Sequence, residues 1–389
     1  MITRYFVPTL LQRLADKQPL IQLILGPRQV GKTTAAKQIM EKYKGKSIYT
    51  SAEQTIRVDN LWITEQWQEA QQAGAGTLLI IDEIQKIENW SEKIKALWDA
   101  QSDKTPIKLM LLGSSSLRIQ TGLTESLVGR YELTQAYHWS FPESLEAFSY
   151  SLDDYLVYGG YPGADRFKDD FERWFQYMKA SIVDPMIGQD ILSHHTITKP
   201  ALFRQAFSLL CAYPCREISL TSLLGQLQDK GNTDLIKHYL ELFEGVFIFK
   251  SLSKYSTRFI SSKNSIPKII SMCPAFYTLV KGPQAVQDPA QKGFLFESIV
   301  GADLVRAFGD QVFYWREKNA EVDFVVQHFD KLYAIEVKSG DTKNTTGMKE
   351  FCAKFTSATP IWIRLENYLE FCTDPKGFLT LANTQCPSP

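Results

Sequence analysis

The chain has no net charge: 43 Lys and Arg balance 43 Asp and Glu. That balance excludes a histone-like polycation and an acidic disordered tail. It leaves nucleic-acid binding open, because a local basic patch can hide in a neutral total. Cysteine is sparse, with six in 389 residues, and only Cys211 and Cys215 lie close together. No disulfide framework follows, and a zinc site would need a second pair that the sequence does not place nearby. A reducing cytoplasm is therefore the expected location. No apolar run approaches the ~20 residues that span a bilayer, and Met1–Leu14 has no apolar stretch before a cleavage site. Repeats, heptads and low-complexity segments are lacking as well. What remains is length for two or three domains of roughly 100–200 residues each, in a soluble protein with no membrane partner.

The first 135 residues alternate apolar runs (Leu20–Leu25, Ser47–Thr50, Thr77–Ile81, Ile107–Leu112) with helical patterns such as Thr33–Tyr43 and Trp90–Gln101. This is the pattern of a parallel sheet covered by helices. It breaks into a loop at Leu133–Pro142. From Glu143 the chain reads as helical, interrupted by Tyr158-Gly-Gly-Tyr-Pro-Gly163. Three helical patterns (Leu202–Ala212, Ser219–Gln228, Asp234–Glu244) and an apolar run, Val246–Leu252, suggest a winged helix. After a break at Lys281–Pro289, a helix (Phe294–Phe308) and strands at Gln311–Arg316, Val322–Gln327 and Lys331–Val337 suggest an α+β tail. The expected division is an α/β domain (1–142), a helical and winged-helix region (143–285) and an α+β tail domain (286–389).

Gly26, Pro27, Arg28, Gln29, Val30, Gly31, Lys32, Thr33 and Thr34 follow an apolar strand and open a helix. This is G-x-x-x-x-G-K-S/T in its required strand–loop–helix context. The glycines let main-chain N–H groups curl around phosphates at the positive end of the helix. Lys32 would reach the β and γ phosphates of ATP, and the Thr33 hydroxyl would bind Mg²⁺. Four apolar residues then lead to Asp82 and Glu83. Asp82 is expected to hold the metal, usually through water, and Glu83 to act as general base. A base next to a metal ligand points to hydrolysis. Ser114, at the tip of the next strand, can orient the water or sense the γ phosphate. Arg130 is a candidate arginine finger, in its own site or a neighbour's, with Arg118 a weaker competitor.

Together with Leu112–Ser116, Leu127–Arg130, Tyr155–Gly163 and the tail from Gly293 to Lys338, these residues resemble a family of bacterial and archaeal ATPases. Its members pair an AAA-type ATPase domain with a C-terminal domain of unknown function, DUF4143. The resemblance implies an AAA+-like fold, ATP and Mg²⁺, with no settled biological role.

In the tail, Glu336 and Lys338 alternate on one strand and share a face, and Asp323 lies on a neighbouring strand. Two carboxylates so placed can clamp a divalent ion, with Glu297 from the packed helix completing the set and Lys338 steering water. Asp323…Glu336-x-Lys338 resembles the PD-(D/E)xK nuclease-like domain, although Val322 replaces the usual Pro. A second Mg²⁺ or Mn²⁺ is expected if the domain cuts. Trp315, flanked by Arg316 and Lys318, could stack on a base. The recognition-helix position, Asp234–Glu244, offers Lys237 and His238 against three acids, which disfavours groove insertion. Lys250, Lys254, Arg258, Lys263 and Lys268 form a looser basic stretch. His194-His195 lack nearby metal partners.

The leading expectation is an AAA+-type ATPase whose hydrolysis drives or gates the tail on DNA or RNA, with further copies of the chain as partners. The alternatives are a nuclease with ATP as a switch, and a nucleotide-gated interaction protein with an inactive tail.

Overall fold

The computed structural model describes residues 2–17, 19–53, 59–101, 106–114, 126–192, 195, 197, 199–227, 232–256, 265–340 and 345–385. Ser115, Ser116, Arg118, His194, Arg258, Lys263 and Cys386 lie outside the described residues. The chain forms two compact units. The first comprises Met1–His138 and Ala180–Thr196, the second Trp139–Lys179 and Ile197–Pro389. The segment 180–196 thus groups with the first unit, and 139–179 groups with the chain from 197 onward.

The first unit is built on five strands: β1 (Ile21–Gly26), β2 (Ser47–Ser51), β3 (Leu78–Asp82), β4 (Lys108–Ser114) and β5 (Tyr131–Gln135). Their order is β2-β3-β4-β1-β5, and every pairing is parallel. Strands covered on both faces need unbroken apolar runs, and β1 and β3 are buried at every position. β5 corrects the expected loop at Leu133. Its residues, Tyr-Glu-Leu-Thr-Gln, are half-exposed because the strand closes an edge beside β1, so it carries no apolar run. Helices Lys32–Lys42, Asn60–Ala73 and Trp90–Asp99 alternate with the strands. Asp59 caps the second of these, accepting from the N–H groups of Leu61 and Trp62. Trp62, Ile63, Trp67 and Ile94 pack on Leu23, Leu25, Leu79, Ile81, Leu109 and Leu111 to form the core of one sheet face. Each such side chain contributes about 1.5–3 kcal/mol by leaving water.

The second unit opens with helices Phe141–Phe148 and Leu152–Tyr158, each started by a capping box, Ser140 with Glu143 and Ser151 with Asp154. The turn that follows requires glycine. Gly159 has φ +66°, and a Cβ on Gly160 would lie 2.1 Å from the Trp139 carbonyl oxygen. Helices Pro200–Cys211, Leu220–Gln226 and Thr233–Gly245 are followed or interleaved by β6 (Arg216–Glu217), β7 (Phe249–Leu252) and β8 (Lys268–Ser271). These strands form an antiparallel sheet in the order β6-β8-β7. Helix Pro289–Phe308 then packs on β9 (Val312–Glu317), β10 (Ala320–His328) and β11 (Lys331–Lys338), and β12 (Ala358–Arg364) completes their sheet beside β11. That sheet is mixed: β11 and β12 run parallel, and the other neighbours antiparallel.

Candidate functional site

The carboxyl ends of β1, β4 and β3 lie side by side, with Gly26 in register with Ser114. Gly26 has no room for a side chain, since a Cβ would lie 2.0 Å from the Ala136 carbonyl oxygen. Gly31 takes φ +88° at the start of the following helix, a conformation that favours glycine. Arg4 braces the loop from outside the motif, donating to the Val30 carbonyl and, at 2.8 Å, to the Tyr137 carbonyl.

Lys32 is buried, and its ammonium donates to the carbonyls of Gly26 (3.0 Å) and Pro27 (2.6 Å). Burial lowers its pKa from 10.5 to about 8, against the opposing pull of Glu83 and Asp82. The Thr33 hydroxyl donates to Asp82 Oδ2 at 2.6 Å, and the Tyr49 hydroxyl to the same oxygen at 2.8 Å. Burial, reinforced by the Asp82 carboxylate, pushes the Tyr49 phenol upward. Glu83 turns out of β3 with φ 55°, a left-handed backbone that costs a non-glycine residue about 1–3 kcal/mol. Its carboxylate accepts from the Gln85 side-chain amide, which also donates to Ser114 Oγ at 3.1 Å. Gln85 thus ties the expected base to the expected sensor position.

Asp190 reaches the same site from the segment 180–196. Its carboxylate, 1% exposed, accepts from Arg28 Nε at 2.8 and 3.0 Å. Burial raises the Asp190 carboxyl despite that partner. Arg130 does not come to this site within its own chain. Its carbonyl accepts from Ile21 N–H at the amino end of β1, roughly 17 Å from the phosphate loop along five strand residues. Its guanidinium pairs with Asp99 through two hydrogen bonds, of 2.7 and 2.8 Å.

The Thr33 hydroxyl and Asp82 carboxylate form an oxygen donor pair of the kind Mg²⁺ prefers, beside a lysine suited to phosphate. The residues present therefore fit magnesium nucleotide. A phosphate loop and an acidic pair at the carboxyl ends of a five-stranded parallel sheet define an AAA-type ATPase domain. Residues 18–145 match the model of an AAA domain, residues 292–372 that of the domain of unknown function DUF4143, and residues 149–278 that of another, DUF8612. No curated protein matches the chain. Among solved structures, the Thermotoga maritima RuvB Holliday junction branch migration motor is similar over 64% of this chain and 89% of its own, with 16% identity and a TM-score of 0.33. A point variant of Thermotoga maritima RuvB is similar over 63% and 86%, with 14% identity and a TM-score of 0.34. Likeness at that level carries no mechanistic argument.

In the tail, Phe324 pairs with Ile335, which sets Asp323 beside Glu336 across β10 and β11, next to an irregularity between Val322 and Val325. Lys338 Nζ donates to Glu336 Oε1 at 2.7 Å, and the Val337 N–H donates to Asp323 Oδ2 at 2.8 Å. Glu297 does come to this cluster, but its Oε1 pairs with the ammonium of Lys268. Lys268 also donates to the Asp323 carbonyl at 3.1 Å. Burial, with Glu297 and Glu336 adding to it, pushes the Asp323 carboxyl well above the usual range, and burial raises Glu336 too. Among the described residues, no three His, Cys, Asp or Glu side chains converge to hold a metal. Glu336 Oε2 is buried without a hydrogen-bond partner.

Trp315 is buried against Phe351, which removes it from base stacking, and Arg316 is paired with Glu217 and Glu321. Cys211 is buried, and the Cys215 thiol donates to Glu297 Oε1. Asn232 caps Thr233–Gly245 as expected. The exposed positions of that helix include Asp234, Lys237, His238 and Glu241, a face with no excess of positive charge. The expected basic stretch is also dispersed: Lys250 pairs with Glu244 and Asp310, and Lys268 is buried.

Sequence reading missed Tyr49, Asp190 and Arg4, set Lys268 in a basic stretch and not with the tail's carboxylates, and gave Gln85 no role of its own. Gln85 had a local signal, lying two residues past Glu83. The others reach their partners across the fold, and a single sequence carries no local mark of that.

Proposed function

We propose that this chain is a Mg²⁺-dependent ATPase whose hydrolysis cycle gates the second unit. The observation that carries the reading is the convergence of Lys32, Thr33, Asp82 and Glu83 at adjoining strand ends, with Glu83 held by Gln85. Lys32 would leave the Gly26 and Pro27 carbonyls for the β and γ phosphates. Thr33 and Asp82 would hold Mg²⁺, which when bound offsets charge on the phosphates. Glu83 would take a proton from the attacking water, with Gln85 and Ser114 orienting the base and the water. Arg28, freed from Asp190, would add a second positive contact to the phosphates.

Gating has support in the connectivity. Asp190 lies in the segment 180–196, which is flanked in sequence on both sides by the second unit. A change of Arg28 partner on nucleotide binding would pull on both flanks. The order helix, strand, two helices and two strands across residues 200–271 supports the winged-helix reading. Thiols at Cys211, Cys215, Cys273 and Cys372 support a cytoplasmic location. DNA or RNA is the first partner to test, with a second copy of the chain next. Lys268 in the acidic cluster favours the interaction-protein alternative over the nuclease.

The test is steady-state phosphate release from ATP, with and without Mg²⁺ and with single- or double-stranded DNA. Mg²⁺-dependent turnover that DNA accelerates supports the whole reading. Turnover indifferent to DNA moves the partner to protein, and turnover that persists in chelator removes the metal.

A further inference from the structure

We infer that Lys268 fills the cation position of the tail's acidic cluster, so that the second unit carries a metal-free, charge-compensated core and does not cut nucleic acid. A metal-dependent nuclease gathers carboxylates around a divalent ion that offsets their mutual repulsion and activates water. Here that offset is an ammonium of the chain itself. The Lys268 ammonium pairs with Glu297 and bonds the main-chain oxygen of Asp323, a hard oxygen of the type a divalent ion takes. It also sits 4.8 Å from the centroid of the Phe324 ring, a favourable place for a cation.

Two other carboxylate oxygens of the cluster are also engaged, while Glu336 Oε2 has no hydrogen-bond partner. Asp323 Oδ2 takes the Val337 N–H, and Glu336 Oε1 takes Lys338. The Cys215 thiol donates to the same Glu297 oxygen that Lys268 holds. Lys268 is 7% exposed, so its ammonium cannot move into solvent without breaking this set. Burial alone would favour the neutral amine, yet Glu297, Cys215 and Asp323 outweigh it and hold the lysine charged, above its ordinary pKa. A divalent ion entering the cluster would meet that resident charge. Lys268 comes from β8, in the small three-stranded sheet, and not from the strands that carry Asp323, Glu336 and Lys338.

The inference is independent of ATP hydrolysis, and its test is kept separate by silencing the first unit with Asp82→Asn. In that full-length background, Mn²⁺ uptake is followed by electron paramagnetic resonance without nucleotide, and supercoiled plasmid is incubated with Mg²⁺ or Mn²⁺. The expected result is no uptake and no nicking that Asp323→Asn abolishes. Uptake or nicking lost with Asp323→Asn overturns the inference. Stability supplies a second readout. Lys268→Met should lower the second unit's melting temperature by roughly 10 °C, and adding Glu297→Gln should restore part of that loss. A Lys268→Met chain that melts like the parent, or a double variant no better than the single one, would also overturn it. If Lys268→Met does not fold, the double variant alone decides: recovery of a folded second unit supports charge compensation, and failure removes it.

Discussion

Lys32 sits at a balance between burial and the acids around it, and its pKa of about 8 makes the nucleotide site sensitive to mild alkali. Phosphates favour the charged ammonium, so ATP binding near pH 8 should take up protons, and affinity should fall as pH rises past about 8. Calorimetry in buffers of different ionisation enthalpy measures that uptake, and an affinity flat from pH 7 to 10 would contradict it. The sign for stability is opposite. Between about 8 and 10.5 the unfolded chain binds more protons at this lysine than the folded one, so the nucleotide-free fold gains stability with rising pH. Gln85 is a positioning residue. Gln85→Ala should lower kcat by about 10–100-fold, the worth of one hydrogen bond to a charged group. KM should stay nearly unchanged, so that the loss falls on kcat alone. A loss shared between kcat and KM would leave Gln85 with a structural role alone.

At the scale of elements, the phosphate loop is held from several directions: Arg4 below the N-terminal helix, Ala136 against Gly26, and Asp190 from the helical turn Met186–Leu192. Breaking a buried ion pair costs about 3–5 kcal/mol, but the Arg28 side chain is 29% exposed, so the cost here is reduced. Asp190→Ala should destabilise the first unit by about 1–3 kcal/mol. Thermal denaturation measures it, and no change would show that the loop stands without this support. The apolar runs of β1, β3 and β4 were legible because central parallel strands are buried on both faces. β5 was not, because an edge strand keeps polar residues and reads as a loop. Tyr158–Gly163 was visible as a motif, but its cause was not: the two glycines let the backbone pass Trp139 and meet Cys273 and Ala275. Strand alternation was enough to bring Asp323, Glu336 and Lys338 together. The cation that answers them comes from another sheet and could be found only in three dimensions.

For the whole molecule, two compact units with separate cores make ligand linkage selective. ATP with Mg²⁺ at 100 times its Kd should stabilise the first unit by about 2.7 kcal/mol. Scanning calorimetry should then show one transition that rises with nucleotide and one that does not, whereas both rising together would mean the units unfold as one. Among the described residues no helix is long and apolar enough to span a bilayer. The central claim is that Glu83 beside Asp82 makes this an ATP-hydrolysing site. The most direct measurement is paired ATP binding and phosphate release by the parent chain and Glu83→Gln. The account predicts ATP affinity within a few-fold of the parent and turnover lower by about 10²–10⁴-fold. Turnover unchanged by the substitution, or lost only in proportion to ATP affinity, would contradict it.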